Sequence, residues 1–178
     1  ARVLYVHHDI ADKVIGMIAG AMKGLTVGDP ALLSTDVGPV IDPDAKGLLG
    51  GHAARMQGVA KPIAEARLGP DTEHGTFFAP RAWELQSLSQ LTRENFGPAL
   101  HVIRWKGDQI DAVVDALNAT GFGLTPGIHS RIDETLDPHI PRATVRHLSG
   151  TRPHTRAVVA RPPSGAQGRP GPRPTAAG

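Results

Sequence analysis

Residues 3–24 read VLYVHHDIADKVIGMIAGAMKG and predict a strand followed by a helix, the unit from which α/β folds are built. The β-branched run over residues 3–6 is typical of a buried strand. Asp9 is predicted as the helix N-cap, and Lys23 with Gly24 is predicted to close the helix. The apolar residues between them recur at helical spacing: Ile10, Val14, Met17, Ile18, Ala21 and Met22.

Helical and strand patterns continue to alternate along the chain. Asp42 and Pro43 predict the N-cap and first residue of a helix that extends to about Val59. The aromatic run over residues 75–85 predicts a strand that Pro80 interrupts, and residues 98–105, PALHVIRW, predict a second strand.

The last patterned segments lie between residues 108 and 138. Asp108 is predicted to cap a helix that ends near Gly121, and residues 123–130 predict a further strand. Ser130 is predicted to cap a short helix, which Pro138 ends. The alternation as a whole predicts an α/β fold with a mostly parallel sheet and flanking helices.

Charge and proline divide the chain at residue 137. Residues 1–137 hold 12 basic and 17 acidic side chains, whereas residues 138–178 hold seven arginines, no acid and eight of the 16 prolines. Such a segment buries too little apolar surface to offset its ordering entropy. We therefore expect a folded domain over residues 1–137 and a disordered basic tail over 138–178, without regular structure from about Thr144.

Composition excludes several classes of protein. Apolar residues make up 40% of the 178, enough for a core. The chain has no apolar run of 18 residues, no signal-peptide pattern at its start and no cysteine. The pattern predicts a cytoplasmic protein that forms no disulfide and has no thiolate metal site or cysteine nucleophile within these residues.

The histidines, the glycine-rich segment and the acid pairs lack the spacing or the context that a metal site, a phosphate loop or a catalytic pair requires. The nine histidines include the adjacent pair His7 and His8 but no HxH or HExxH, so we interpret them as scattered surface or partly buried residues and expect no metal site. The segment over residues 121–123, GFG, is interpreted as a helix stop rather than a phosphate loop. Two acid pairs are interpreted as residues of helix starts: Asp42 with Asp44, and Asp133 with Glu134.

Residues 92–98, TRENFGP, differ from these motifs. Glu94 and Phe96 stand two residues apart, before a Gly-Pro corner that leads into a predicted strand. A carboxylate can accept two hydroxyl hydrogen bonds, as from a ribose diol, and an aromatic ring offers a flat apolar surface.

The run LTRENFGPALHVIRW over residues 91–105 resembles the Glu-x-Phe-Gly-Pro segment of NAD(P)-dependent aldehyde dehydrogenases. In that family the Glu holds the nicotinamide ribose hydroxyls, and the Phe packs beside the ribose and nicotinamide. The resemblance implies that Glu94 and Phe96 bind the cofactor, with Gly97 and Pro98 shaping the turn.

Residues 1–137 are similar to one branch of that family, the L-glutamate γ-semialdehyde (1-pyrroline-5-carboxylate) dehydrogenase domain of the bifunctional proline utilization A flavoenzymes. The stretches RVLYVHHDIADKVIGMIAGAMKGLTVGDP, LSTDVGPVIDPDAK, GTFFAPRAWEL and DALNATGFGLTPGIHSRIDET carry this similarity. It implies a partial aldehyde dehydrogenase catalytic domain. It also implies a homo-oligomeric parent that oxidises L-glutamate γ-semialdehyde to L-glutamate with NAD.

The family pattern also implies what these residues lack. The nucleophilic Cys of the family lies a few residues before the first strand, in a motif ending Cys-Ser-x-x-Arg that Ala1 and Arg2 would complete. The general-base Glu and the NAD domain come earlier still. We therefore expect no catalytic residue in this chain and no activity from it alone. Beyond residue 137 the family pattern stops, which we interpret as a change of reading frame.

The basic tail supports an alternative interpretation, a small α/β binding module whose arm contacts nucleic acid or an anionic surface. No aromatic residue stands among the tail arginines to stack on bases. We therefore expect no specific nucleic-acid partner.

Overall fold

The computed structural model describes residues 2–121, 127–129, 149–151 and 157–159. The chain divides into two units, Ala1–Gly107 and Asp108–Gly178. The predicted boundary at residue 137 and the predicted helix after Ser130 lie outside the described residues.

A four-stranded sheet forms the centre of the first unit. Its strands are β1 (Val3–His7), β2 (Lys61–Glu65), β3 (Arg81–Leu85) and β4 (Ala99–Trp105), in the order β1-β4-β3-β2. Strand β4 runs parallel to both β1 and β3, and β2 is antiparallel to β3. The prediction of a mostly parallel sheet with flanking helices is therefore confirmed.

Helix α1 (His8–Lys23) follows β1 directly, and its N-cap differs from the prediction. Asp9 as N-cap is wrong, because His7 holds that position and its Nδ1 accepts a hydrogen bond from the Asp9 amide at 3.3 Å. The N-cap hydrogen bond is therefore accepted by an imidazole and not by the predicted carboxylate. Asp9 lies in the first turn, where its charge complements the helix dipole.

Helix α2 (Pro43–Val59) begins as predicted. The Asp42 side chain accepts a hydrogen bond from the Ala45 amide at 2.7 Å, and Pro43 occupies the first helical turn. The helix persists through four glycines, because its apolar residues pack into the core of the unit.

Side chains alternate between the two faces of the sheet. On β4, Ala99 and Ile103 pack with residues of α2, whereas Val102 packs with Ala11 of α1. The core on the α2 face consists of eight buried residues: Leu49, Ala53, Met56, Phe78, Trp83, Leu85, Ala99 and Ile103. The unit thus has three layers, with the sheet between its two helices.

Two strands depart from the sequence prediction. Of the strand predicted over residues 75–85, only Arg81–Leu85 forms, after Pro80. No sequence pattern predicts β2, which contains Pro62. Proline has no amide hydrogen to donate, and β2 tolerates it because this strand lies at the sheet edge, where the register also shifts after Pro62.

The second unit contains helix α3 (Ile110–Ala119), which follows a 3-10 turn at Gly107–Gln109. Asp108 as N-cap is wrong: it lies inside the turn Gly107–Gln109, and Gln109 precedes the helix. The predicted helix end near Gly121 is confirmed, and Gly121 has a φ of +68°.

Three short strands complete the described part of the second unit: β5 (Gly127–His129), β6 (Ser149–Thr151) and β7 (Ala157–Val159). Strand β6 runs parallel to β5 and antiparallel to β7. Strand β5 falls within the strand predicted over 123–130. Strands β6 and β7 lie in the tail, where no regular structure is predicted, and the rest of that prediction concerns residues outside the described ranges.

Candidate functional site

The loop from Glu94 to Pro98, the 94–98 loop, joins the 3-10 turn Leu88–Gln90 to β4. Gly97 has a φ of +138°, and a Cβ there would lie 2.5 Å from Leu49 Cδ1. A side chain at this position would therefore be strained and would overlap the core. The carbonyl of Pro98 accepts a hydrogen bond from the Arg81 amide at 3.0 Å, which fixes the end of the loop to β3.

Arg2, just before β1, holds both residues that the sequence predicts as cofactor-binding. Its guanidinium makes an ion pair with the Glu94 carboxylate and lies over the Phe96 ring, 4.7 Å from the ring centroid. The Glu94 side chain is 22% exposed and Phe96 is 74% exposed. The structure thus brings Glu94 and Phe96 together around one cation, with the ring open to solvent.

A buried pair of histidines lies beside this loop. His52 of α2 and His101 of β4 are each 3% exposed, and their Nε2 atoms are 2.8 Å apart. The His52 Nδ1 lies 3.2 Å from the Asn95 side-chain nitrogen. The His101 Nδ1 lies 3.0 Å from the Arg2 carbonyl oxygen.

Both imidazoles are held neutral. Burial lowers the pKa of His52 to about 4, helped by the nearby His101, Arg55 and Arg93. Burial also lowers the pKa of His101 more than the Arg2 carbonyl raises it. The His101 ring stacks on Trp83, with centroids 5.7 Å apart, and Trp83 meets His52 edge-on.

A cavity of about 400 Å³ opens beside the histidine pair. It is lined by Gly51, His52, Arg55, Thr92 and Arg93. In the part of the chain that the structure describes, no three metal-ligating side chains come together.

Other candidate residues take structural roles where they are described. Asp42 caps α2, and His7 caps α1. Gly121 follows the end of α3, as the helix-stop interpretation requires, whereas Phe122, Gly123, Asp133 and Glu134 lie outside the described residues.

The interpretation of every histidine as scattered or partly buried is wrong for His52 and His101. A signal for their burial existed in the spacing. His52 lies three residues after Leu49 and four before Met56, on the buried stripe of α2, and His101 alternates with Ala99 and Ile103 on β4. Nothing in the spacing predicted that they meet, since 49 residues separate them.

No helix in the described ranges is both long and apolar enough to cross a membrane.

Residues 1–151 match the family model for aldehyde dehydrogenases, so the similarity extends past residue 137, where the family pattern was expected to stop. The chain is 38% identical over 182 residues to the bifunctional protein PutA of Escherichia coli and 40% identical over 178 residues to that of Rhizobium meliloti. Each alignment covers 99% of this chain, and the chain spans 14% of the length of either relative.

The fold is similar to that of a solved relative. A crystal structure of a mutant of Bradyrhizobium japonicum proline utilization A superposes with a TM-score of 0.80 and 42% identity. The match covers 85% of this chain and 15% of that protein.

Proposed function

The chain belongs to the aldehyde dehydrogenase family, and we propose that it is part of the aldehyde-oxidising domain of a proline-catabolic enzyme. In this proposal the parent oxidises L-glutamate γ-semialdehyde to L-glutamate. The identity of 38–40% to two bifunctional PutA proteins, over nearly all of the chain, carries the proposal. The match to a proline utilization A structure supports the same branch.

We assign Glu94 and Phe96 to the nicotinamide ribose of NAD. The residues fit one part of this cofactor, because the carboxylate can accept hydrogen bonds from a diol and the exposed ring offers an apolar surface. When bound, NAD supplies the hydride acceptor of the reaction. The role of this chain is to bind and orient that end of the cofactor, with Arg2 holding both side chains.

The isolated 178 residues are expected to show neither NAD binding nor aldehyde oxidation. They hold no cysteine, and so no thiolate nucleophile. One carboxylate–diol contact contributes on the order of 1–3 kcal/mol, which corresponds to no better than about millimolar affinity. Calorimetric titration with NAD measures this directly, and tight binding by the chain alone would contradict the proposal.

The substrate assignment is tested on the full-length parent by the absorbance of NADH. L-glutamate γ-semialdehyde is expected to give a higher kcat/KM than succinate semialdehyde, which is one carbon shorter and lacks the amino group. Equal rates, or a preference for succinate semialdehyde, would overturn the assignment of the substrate.

The cofactor assignment is tested in the same parent with Glu94→Gln. The amide replaces one acceptor by a donor, so the KM for NAD is expected to rise about tenfold, equivalent to about 1.4 kcal/mol. Glu73→Gln is the matched control, because Glu73 is exposed and distant in sequence from the 94–98 loop. Unchanged kinetics in Glu94→Gln would remove Glu94 from the cofactor site.

A further inference from the structure

We propose that His52 and His101 are positioning residues, which lock the 94–98 loop to the start of β1 through a hydrogen-bond chain with a single direction. The chain runs from the Asn95 amide through both imidazoles to the Arg2 carbonyl. Its existence rests on the contacts alone. Only its importance for the cofactor rests on the proposed function.

The direction of the chain follows from its carbonyl end. A backbone carbonyl only accepts, so the His101 Nδ1 at 3.0 Å must carry the hydrogen and donate to Arg2. A neutral imidazole has one N–H, so the His101 Nε2 is an acceptor. The His52 Nε2, 2.8 Å away, must then be the donor, which leaves the His52 Nδ1 as an acceptor.

The other end of the chain agrees with this direction. The His52 Nδ1 faces the Asn95 side-chain nitrogen at 3.2 Å and an Arg55 nitrogen at 3.4 Å, and both are donors. The orientation of the Asn95 amide is itself fixed by Arg93. The Arg93 Nε donates to the Asn95 oxygen, and the Arg93 carbonyl lies 3.3 Å from the Asn95 nitrogen. Every ring nitrogen of the pair therefore meets a partner of the opposite role.

Burial keeps the hydrogen-bond chain in this one direction, with both rings neutral. Protonation of His101 would place two N–H groups face to face at the Nε2 contact and break the chain. The lowered pKa values of both rings prevent this near neutral pH. The polar and charged groups that face the pair are Arg55 from α2, Arg93 and Asn95 from the loop side, and the Arg2 carbonyl before β1.

The hydrogen-bond chain positions the 94–98 loop because Arg2 also contacts Glu94 and Phe96, the two neighbours of Asn95. The Arg2 side chain contacts Glu94 and Phe96, while its carbonyl ends the chain that starts at Asn95. Three consecutive side chains of the loop are thus tied to one residue. A shift of the loop would break the Asn95 contact, so the histidine pair sets where the carboxylate and the ring stand.

The tautomers are measured by two-bond proton–nitrogen NMR on the chain labelled with nitrogen-15 histidine. Near neutral pH, His52 is expected as the Nε2–H form and His101 as the Nδ1–H form. The reverse tautomer at either ring, or titration of either ring at the pKa of a free histidine, would overturn the proposal.

Asn95→Asp reverses the donor at the start of the chain. Aspartate only accepts, so the His52 Nδ1 is expected to gain a hydrogen and the pKa of His52 to rise. Asn95→Ala is the matched control, because Arg55 still donates to the His52 Nδ1 and the tautomers should stay unchanged. If the His52 Nδ1 stayed unprotonated in Asn95→Asp, the proposed direction of the hydrogen-bond chain would be wrong.

The full-length parent gives a second readout that does not depend on folding of the isolated chain. The KM for NAD is expected to rise about threefold in Asn95→Ala, which removes the Asn95 contact, and about tenfold in Asn95→Asp, which also opposes the donor direction. Equal effects of the two variants would show that the donor direction is irrelevant. The two proposals fail separately: expected tautomers with unchanged kinetics in Glu94→Gln would leave the hydrogen-bond chain standing and remove the cofactor role.

Discussion

Helices α1 and α2 cover opposite faces of one sheet, and the polar groups beneath them are of different kinds. Between α2 and the sheet lie two neutral imidazoles, His52 of α2 and His101 of β4, each 3% exposed. On the α1 face Arg104 of β4 pairs with Glu84 of β3 at 2.6 Å and with Asp12 of α1 at 2.7 Å.

The difference follows from the free energy of removing charge from water. A neutral ring with a partner at each nitrogen can be buried at small cost, whereas a buried ion must be paired and fully hydrogen-bonded. The charged set accordingly keeps contact with water, and the Asp12 side chain is 92% exposed. The α2 face is thus suited to fixing a loop, and the α1 face to an ion pair open to solvent.

The largest expected effect on stability comes from adding a methyl group at Gly97, against the core on the α2 face. In Gly97→Ala the new methyl group meets Leu49 while the backbone holds a φ of +138°. Strain and overpacking together are expected to lower the free energy of unfolding by about 3 kcal/mol or more. Urea denaturation of the chain measures this loss.

The matched control lies on the other helix. Gly16→Ala in α1 adds a methyl group that meets nothing within 4 Å. It is expected to raise the free energy of unfolding by about 0.5–1 kcal/mol, because alanine favours the helix. If both substitutions destabilised equally, the close approach of Gly97 to Leu49 would not be the cause.

The second prediction concerns the pH dependence of stability, which should differ between the α2 face and the α1 face. His52 has a pKa of about 4 in the folded chain against 6.5 ordinarily, so the unfolded chain takes up its proton first as pH falls. The contribution of His52 to stability is therefore fully present above about pH 6.5 and declines as the pH falls to about 4, by on the order of 3 kcal/mol. Urea denaturation at a series of pH values measures the slope.

Two variants test whether the pH dependence of stability arises on the α2 face or on the α1 face. His52→Gln cannot titrate and should reduce the decline, leaving the part that His101 contributes, whereas Arg104→Met should leave the decline in place. The pKa of Asp12 is lowered by its hydrogen bond and charge interaction with Arg104, so the α1 face loses stability only below about pH 4. A slope unchanged in His52→Gln would show that other groups cause it.

The layers of the first unit could be predicted from local patterns. Residues 3–24 and 98–105 carry strand and helix periodicities strong enough to place β1, α1 and β4 within two residues. Strand β2 could not be predicted, because Lys61 and Pro62 read as a loop until β3 offers an edge to pair with.

The candidate site was predictable only in part. Glu94 and Phe96 stand in one short segment that resembles a family motif, so sequence alone could single them out. The contacts that hold them are not local: Arg2 lies 92 residues before Glu94, and His52 lies 49 before His101. Parallel pairing of β1 with β4 brings Arg2 to the loop, and local pattern does not specify that pairing.

The smallest effects are expected on the α1 face. Asp12 is almost fully exposed, and exposed ion pairs contribute little because water solvates both partners and salt screens them. Asp12→Asn should therefore leave the thermal midpoint close to that of the unmodified chain. Arg104→Met should lower it more, because Glu84, whose side chain is 17% exposed, then keeps only Lys61, at 3.9 Å, among the cations of the described residues. Circular dichroism melts measure both, and about 1 M NaCl, with a Debye length of about 3 Å, should remove any difference made by Asp12→Asn. If Asp12→Asn proved as destabilising as Arg104→Met, the carboxylate of α1 would contribute to the sheet face despite its exposure, and the contrast between a buried neutral face and a solvated charged face would fail.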